Sequence, residues 1–333
     1  MRLGDYHNFG RCVQILNKEW ITKPRDCHFE FTIFSKRSPL RKFLDEIFTK
    51  DGYPLTNLPY LKFKNVIKKS LISNTHVEML RIEEVKTSLN EEQLKYIGSL
   101  MAICLFFGIG DLHEENIIIG RDLSTKNLYI APIDLEVNLT STPTLKHTLL
   151  LNTNSKHVNP GLIRIKNLIG NPEKVLNILE GFVNGIILLN ENITKIRSIL
   201  SKINSNQKIS TRVLVRDTNE YKKKIKSKLY EEESTQLTRG DIPYFFRYYK
   251  EKNIYFWKTP NKKQSVSDEL NKNTPKKFAI DVINHQRQSI CVSQIISFFI
   301  QKKVFINSSR SSLFVNNKII VFKSRGQVFI CQK

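Results

Sequence analysis

The sequence lacks any apolar run long enough to cross a lipid bilayer. Its longest nearly uncharged apolar stretch extends from Ile97 to Gly110, whereas a membrane-spanning helix needs about 20 such residues. The first residues, Met1 to Asp5, also lack the hydrophobic core of a signal peptide. These two absences predict a soluble, non-exported protein that has no membrane partner.

Cysteine is scarce and scattered along the chain. The sequence has five cysteines, an odd number, and none of them belongs to a Cys-x-x-Cys pair. Disulfide-stabilised folds and structural zinc sites both need clustered or regularly spaced cysteines. We therefore expect neither, and a reducing, cytoplasmic environment fits the chain best.

Acidic residues are outnumbered by basic ones. The 31 Asp and Glu against 53 Lys and Arg give a formal net charge of +22, which attracts polyanions or acidic peptides. Hydrophobic residues make up 40% of the 333 positions, an ordinary globular composition that excludes a disordered or fibrous chain. The length is sufficient for one large domain or two.

Residue patterning predicts a chain that mixes strands and helices. Antiparallel strands are expected in residues 4–25, near 61–67 and 76–85, and in a tail with strands at 313–315, 319–322 and 328–330. Helical spacing of apolar residues is found at 39–48, 94–107, 174–200, 221–229 and 278–301. The polar stretch 266–277 predicts a loop.

Side chains that could act in catalysis are most concentrated between Gly110 and Leu139. The residue pattern there predicts a loop, a strand, a turn, a second strand and a second loop. Asp111 and Asn116 have the Asp-x-x-x-x-Asn spacing of a kinase catalytic loop, and Asp134 follows one hairpin later. Phosphoryl transfer needs a carboxylate at the acceptor hydroxyl, with an amide oxygen and a second carboxylate to hold Mg²⁺. The alternative is a solvated hairpin with capping acids.

Upstream, Lys23 ends a strand-like run, at the place where a lysine that grips the nucleotide phosphates would be expected in a kinase-like small lobe. A surface lysine before Pro24 is the alternative interpretation. No Gly-x-Gly-x-x-Gly loop precedes Lys23, so that another element would have to cover the phosphates.

These segments resemble those of a known family, the dehydratase domain of class II lanthipeptide synthetases. The resemblance is collinear, covers about residues 1–300, and is carried by Gly4–Arg11, Lys23–Arg25, Asp111–Asn116, Ile133–Glu136, Arg212–Tyr221 and Asp241–Phe245. It implies an α+β, bilobal protein/lipid-kinase-like fold. A reduced N-terminal β lobe would span residues 1–88, and a mainly helical C-terminal lobe would span residues 89–333.

The resemblance also implies a function in lanthipeptide biosynthesis. With ATP and Mg²⁺, such a domain phosphorylates Ser and Thr of a precursor peptide and then eliminates the phosphate to leave dehydroalanine or dehydrobutyrine. In the transfer step Asp111 would be the base or would orient the hydroxyl, while Asn116 and Asp134 would hold the metal and nucleotide. His113 would serve either step as an acid or base.

Elimination needs a base for the α-proton, a cation near the developing enolate and a grip on the leaving phosphate. Lys23 and Arg212 suit the last two roles, and the family pattern adds Thr218 to the elimination group. Asp5 and His7 would also belong to the site. Each has a structural alternative: Asp5 a turn former, His7 a surface histidine, Thr218 a helix cap and Arg212 a surface cation.

Two departures from the family bear on partners. The chain starts almost at the Gly4 motif, so that an upstream region would be missing or supplied by a partner chain. The cyclase half with its zinc ligands is not seen in the sequence, so that ring closure would be expected from a separate cyclase or not at all. The Lys-rich run Lys222–Lys228 could attract an acidic leader peptide.

Other functions remain open at this stage. A Ser/Thr peptide or protein kinase would keep the transfer step without elimination, and a catalytically inactive basic protein would keep only the fold. Nucleic acid is not the expected partner, because the aromatic stripe from Tyr244 to Tyr249 is of a kind that more commonly packs than stacks on bases.

Overall fold

The structure is a computed structural model that describes residues 2–65, 74–85, 87–152, 158–169, 171–216, 218–222, 228–274, 279–300, 303–308, 311–315 and 319–332. The chain is mixed, with about 40% of residues in helices and 24% in strands, which confirms the expected α+β composition. In the described residues no helix combines the length and apolar character needed to span a membrane.

The first sheet is antiparallel and contains the N-terminal strands that the sequence predicts. Its strands are β1 Arg2–His7, β2 Arg11–Ile15, β3 Trp20–Lys23, β4 Phe63–Lys64 and β5 Thr75–Glu78, in the order β1-β2-β3-β5-β4. Lys23 is the last residue of β3 and lies opposite Thr75 of β5. The sheet therefore holds the lysine at one end of a central strand.

The second sheet contains the predicted hairpin. Its strands, in the order β6-β7-β8, are β6 Ile82–Glu84, β7 Ile117–Asp122 and β8 Leu128–Pro132. Asp122 accepts hydrogen bonds from the backbone amides of Ser124 and Thr125 (3.0 and 2.8 Å), which fixes the turn. Because Ile117 lies opposite Pro132, the loops before β7 and after β8 emerge at the same end of the hairpin.

The third and fourth sheets are antiparallel. The third has the order β12-β11-β10-β9 and contains β9 Ser210–Val213, β10 Phe245–Tyr248, β11 Tyr255–Thr259 and β12 Lys262–Ser265. The fourth is a sheet of sequential neighbours, β13 Val304–Asn307, β14 Ser311–Val315, β15 Ile319–Ser324 and β16 Gln327–Gln332. The predicted strands of the tail are therefore confirmed, with β13 in addition.

The structure contains ten α-helices among the described residues, and the third and the fifth of them make the most extensive helix–helix contact. The helices are α1 His28–Phe34, α2 Pro39–Lys50, α3 Glu91–Phe106, α4 Ile163–Ile169, α5 Val175–Glu191, α6 Ile193–Gln207, α7 Thr218–Lys222, α8 Glu231–Thr238, α9 Asp268–Lys272 and α10 His285–Phe299.

In α3, Asn90 and Gln93 form a reciprocal capping box. A Cβ on Gly98 of α3 would lie 2.0 Å from the Ile178 carbonyl oxygen of α5, so that glycine lets the two backbones approach closely. The Tyr96 hydroxyl donates to the Ile130 carbonyl (2.7 Å) and ties α3 to the hairpin.

Several helix predictions need correction. The predicted helix 278–301 begins only at His285, where Asn284 caps it by accepting from the Arg287 amide, and its two end residues lie outside the described residues. The predicted helix 174–200 is two helices, α5 and α6. The expected loop 266–277 contains α9, because Leu270 is buried against the third sheet. Of the expected helix 221–229, residues 221 and 222 belong to α7, and residues 223–227 lie outside the described part.

Candidate active site

The loop that contains Asp111 is fixed on both sides by backbone hydrogen bonds. The Gly110 amide donates to the Val137 carbonyl (3.0 Å), and the Leu112 amide donates to the Thr148 carbonyl (2.9 Å). Leu112 is fully buried. Asp111 between them has a φ of +60°, a left-handed conformation that Asp tolerates better than most residues with a side chain. The loop therefore presents the Asp111 carboxylate from a constrained backbone.

Asn116 closes this loop through its amide group. Its Nδ2 donates to the Asp111 carbonyl (2.8 Å) and lies 3.2 Å from Nε2 of His113. Since Nδ2 can only donate, Nε2 of His113 is the acceptor, which assigns its ring proton to Nδ1. Both amide hydrogens of Asn116 are thus engaged within the loop, and its Oδ1 is left as the atom that can bind a cation.

Asp134 lies at the same end of the hairpin as Asn116. The Ile133 amide donates to the Asn116 carbonyl (3.0 Å), which continues the pairing of β7 with β8. The Asp134 Oδ1 atom is 3.2 Å from Lys23 Nζ and also forms an ion pair with Arg25. Burial alone would raise the pKa of Asp134, but these two cations hold it well below its usual range. Asp134 is therefore a carboxylate at neutral pH, with about a third of its side chain exposed.

Glu30 on α1 is the buried counter-ion of both cations. Its Oε1 is 2.9 Å from Lys23 Nζ and 2.6 Å from Arg25, and it accepts from the Leu135 amide (3.0 Å). Sequence analysis did not identify Glu30 as a site residue, and α1 itself was not predicted. The available signal was an acid seven positions after Lys23, within an otherwise apolar run.

Arg25 and Arg212 share a second carboxylate, that of Glu136. Arg25 Nε lies 3.4 Å from Oε2, and Arg212 forms an ion pair with Oε1. The backbone amide of Arg212 also donates to the Glu136 carbonyl (2.7 Å), which attaches β9 to the loop after Asp134. Burial would lower the pKa of Arg212, but Glu136 raises it above its ordinary value. Glu136 and Arg25 belong to motifs that the sequence shows, yet neither was assigned a role.

His7 reaches this group from the first sheet. Its Nδ1 donates to the Ile242 carbonyl (2.7 Å), and its ring meets that of Tyr244 edge-on with centroids 5.6 Å apart. Because Nδ1 carries the proton, Nε2 holds a lone pair. Burial lowers the pKa of His7, and the positive charge of Arg212 lowers it further. Asp241 holds the adjacent turn by accepting from the Phe9 and Gly10 amides (2.8 and 2.7 Å).

The Asp111 carboxylate lies among these charges and accepts no hydrogen bond from the described residues. Burial raises its pKa to about 6; Glu136 and Asp134 raise it as well, while His113 and Arg212 lower it. A carboxylate with such a pKa is a stronger base than an exposed one and is still ionised at neutral pH.

The predicted residues differ in how closely they associate. Lys23 and Asp134 are in direct contact, Asn116 and His113 close the loop that presents Asp111, and Arg212 and His7 are next to them. Asp5 is at the margin, in an ion pair with Lys222 (2.8 Å). Thr218 begins α7 and makes no described hydrogen bond to the other residues of the site.

The oxygen donors fit a magnesium ion. Asn116 Oδ1 and the Asp134 carboxylate are hard oxygen ligands, and Mg²⁺ commonly binds one or two protein oxygens together with water and phosphate. The described residues contain no cluster of three or more His, Cys, Asp or Glu side chains able to bind a metal by themselves.

Sequence comparisons add no assignment: no protein-family model matches the chain, and no curated protein matches it.

Proposed function

We propose that the chain is a lanthipeptide-type dehydratase, which phosphorylates Ser or Thr of a precursor peptide with Mg-ATP and then eliminates the phosphate. The observation that carries this proposal is the arrangement of Asn116. Its amide group holds the backbone of Asp111, and the strand pairing brings Asp134 to the same end of the hairpin, where the remaining Oδ1 of Asn116 would bind a cation. Phosphoryl transfer requires this division between a base loop and a metal loop.

In the transfer step Asp111 accepts the proton of the substrate hydroxyl as its oxygen attacks the terminal phosphorus of ATP and ADP departs. Mg²⁺, held by Asn116 and Asp134, would neutralise charge on the phosphates. Lys23 Nζ donates to Glu30, to the Ile133 carbonyl and to Asp134, and it would exchange the contact with Asp134 for a phosphate oxygen. The raised pKa of Asp111 favours proton acceptance near neutral pH.

In the elimination step a base removes the α-proton of the phosphorylated residue, the Cα–Cβ double bond forms, and the phosphate leaves from Cβ. His7 supplies a lone pair on Nε2, since its Nδ1–H is bound to a carbonyl. Arg212, whose Nη1 donates to Glu136, would bind the leaving phosphate through its other N–H groups. Elimination thus uses the Arg212 side of the site, and transfer uses the Asp111 side.

A kinase-like, bilobal arrangement belongs to the same proposal. Residues 1–88 would form the reduced β lobe that supplies Lys23 and Glu30, and residues 89–333 the C-terminal lobe that supplies the catalytic and metal loops. The ion pair of Lys23 with Glu30 on α1 supports this, because kinase sites use a helix glutamate to hold the phosphate-binding lysine.

The test is mass spectrometry of a synthetic Ser/Thr-rich peptide after incubation with Mg-ATP and the protein. Dehydration appears as a loss of about 18 Da per residue and stable phosphorylation as a gain of about 80 Da. We expect dehydration with the native chain, neither product with Asp134→Ala, and accumulated phosphopeptide with Arg212→Ala. Asp281→Ala, which changes an exposed acid in a surface ion pair, is the control.

Each outcome decides between the functions. A gain of about 80 Da that is never followed by loss would indicate a kinase without elimination. The absence of both products, together with no ATP consumption, would indicate a basic binding protein. Complete dehydration by the Arg212→Ala variant would refute the elimination role of that residue.

A further inference from the structure

One face of the third sheet is covered by aromatic side chains. Phe246 and Tyr248 of β10 lie beside Tyr255 and Trp257 of β11, and we call these four residues the aromatic face. Phe246 stacks on Trp257 with ring centroids 5.7 Å apart, and Tyr248 and Tyr255 are 5.8 Å apart. Phe246 is buried, while the other three rings are partly exposed.

The two faces of this sheet have different surroundings. Alternate residues of β10 and β11, Phe245 and Phe256, point to the opposite side, where they pack with Val213, Val266 and Leu270 in a small core. Side chains alternate between the faces of a strand, so the aromatic face cannot belong to that core. The described residues leave three of its four rings accessible to a ligand.

Lys263 lies across the aromatic face. Its Nζ is 4.3 Å from the centroid of the Tyr248 ring and 4.7 Å from that of Tyr255. It makes no ion pair with any described residue. Burial against the rings lowers the pKa of Lys263, and the nearby charge of Lys208 lowers it further. Lys208 differs, because it is paired with Glu251 at 3.3 Å. Lys263 is thus a partly buried cation without a direct ion pair among the described residues, although the charge of nearby Glu251 raises its pKa.

The aromatic face is continuous with the candidate active site. Phe246 lies directly opposite Arg212 in the pairing of β10 with β9, and directly opposed residues of neighbouring strands point to the same face. Arg212 is 5.2 Å from the centroid of the Tyr244 ring. An extended ligand bound across the rings would therefore reach Arg212, which is the residue proposed to bind the leaving phosphate.

We propose that the aromatic face binds an extended, acidic segment of the substrate peptide next to the reacting Ser or Thr. The inference rests on the proposed function for the identity of the substrate. Apolar side chains of the peptide would pack on the rings, and an Asp or Glu would pair with Lys263. A carboxylate of the peptide would bind most favourably at Lys263, because the ion pair offsets the free-energy cost of burying the charge of this lysine.

A peptide suits this face better than a nucleic acid. Glu251 and Asp26 lie beside it: Glu251 accepts from the Tyr255 hydroxyl (3.1 Å), and Asp26 accepts from Ser210 (3.2 Å). Binding of a single-stranded nucleic acid needs a row of cations along its phosphates, whereas these carboxylates would repel a phosphate chain. A peptide that places a single carboxylate at Lys263 would meet the charge of Glu251 once, whereas a phosphate chain would meet both carboxylates.

Trp257 allows binding to be measured directly without ATP. The chain has two tryptophans, so Trp20→Phe leaves Trp257 as the only reporter. We would titrate this variant with a repeating Asp-Ala-Ser-Ala peptide of about twelve residues, a matched Lys-Ala-Ser-Ala peptide and a uridine oligonucleotide of the same length. We expect the acidic peptide to change Trp257 fluorescence saturably and the lysine peptide to bind at least about tenfold more weakly.

In the same background Lys263→Gln should weaken the acidic peptide about fivefold, and Tyr248→Leu should weaken it about threefold. Lys272→Gln removes the same charge from α9, which packs on the opposite side of the sheet, and should leave binding unchanged. Circular dichroism would show that each variant is folded. Equal binding of both peptides, tighter binding of the oligonucleotide, or no effect of Lys263→Gln would overturn the proposal.

Failure of this inference is separable from failure of the proposed function. If the native chain dehydrates peptides but Lys263→Gln leaves both affinity and KM unchanged, the aromatic face is not the docking surface. If the acidic peptide binds at Trp257 but no phosphorylation follows, the docking surface stands and the enzymatic proposal fails.

Discussion

Replacing Asp111 with Asn should make the protein more stable at neutral pH and at the same time inactivate it. Asn keeps the shape of the side chain and tolerates the left-handed backbone at this position. It removes a carboxylate that is buried beside Glu136 and Asp134, whose charges oppose its ionisation. The same burial that makes Asp111 a strong base therefore costs folding free energy.

The magnitude follows from the pKa of Asp111. Its rise from an ordinary 3.8 to about 6 means that the folded chain holds this proton more tightly than the unfolded chain. Below pH 3.8 both states are protonated and the cost is absent; it grows as the pH rises and is complete above pH 6. The full cost is about 3 kcal/mol, and about half of it is present at pH 5. For a chain of this length, about 3 kcal/mol corresponds to roughly 4 °C in Tm.

Thermal unfolding of the native chain and Asp111→Asn at pH 5 and pH 7.5 measures this effect. We expect the variant to have the higher Tm at both values, with a larger difference at pH 7.5. Asp281→Asn, on the surface, should change stability by less than about 0.5 kcal/mol. Peptide phosphorylation should fall at least about a hundredfold in Asp111→Asn, and kcat/KM of the native chain should decline below about pH 6. A lower Tm for Asp111→Asn at pH 7.5, or a difference that does not depend on pH, would refute the reasoning.

Three further predictions concern other buried contacts. Glu136→Gln removes the carboxylate that holds Arg212, and we expect elimination to slow at least about tenfold relative to phosphorylation, measured as the ratio of phosphopeptide to dehydrated peptide. Glu30→Gln leaves two cations without their shared buried carboxylate; it should lower the free energy of unfolding by about 3 kcal/mol and weaken Mg-ATP binding by calorimetry, whereas unchanged affinity would contradict the lysine-positioning role. Gly98→Ala places a Cβ 2.0 Å from a carbonyl oxygen and should cost at least about 3 kcal/mol in denaturant unfolding, against about 1 kcal/mol for Gly240→Ala, which has open space but a positive φ.

The elements that sequence analysis predicted best are those whose residue pattern agrees with their tertiary environment. Helix α3 has a capping box at Asn90 and an almost wholly apolar second half, and both signals are local. Helix α1 shows the opposite case. Its apolar residues Phe29, Phe31 and Ile33 alternate as in a strand, yet the segment is helical and buries Glu30, which pairs with Lys23 and Arg25. Glu30 also accepts from the Leu135 amide, 105 positions away, and such tertiary contacts are invisible to periodicity.

The candidate site also combines features that the local sequence predicts with contacts that it does not predict. The spacing of Asp111 and Asn116 and the hairpin that leads to Asp134 are local features, which the sequence shows directly. The pairing of Arg212 with Glu136 joins residues 76 positions apart, and the hydrogen bond from His7 to Ile242 joins residues 235 positions apart. Such contacts depend on how the sheets meet, and spacing alone carries no information about them.

Two glutamates hold the cations of the candidate site in place. Glu30 binds Lys23 and Arg25, and Glu136 binds Arg25 and Arg212, so that Arg25 is common to both pairs. Without these carboxylates, three buried cations would repel one another and disperse. With them, Lys23 and Arg25 stay fixed at Asp134, and Arg212 stays fixed at Glu136. In the proposed function transfer must precede elimination, because the phosphate has to be attached before it can leave; Lys23 would serve the first step and Arg212 the second.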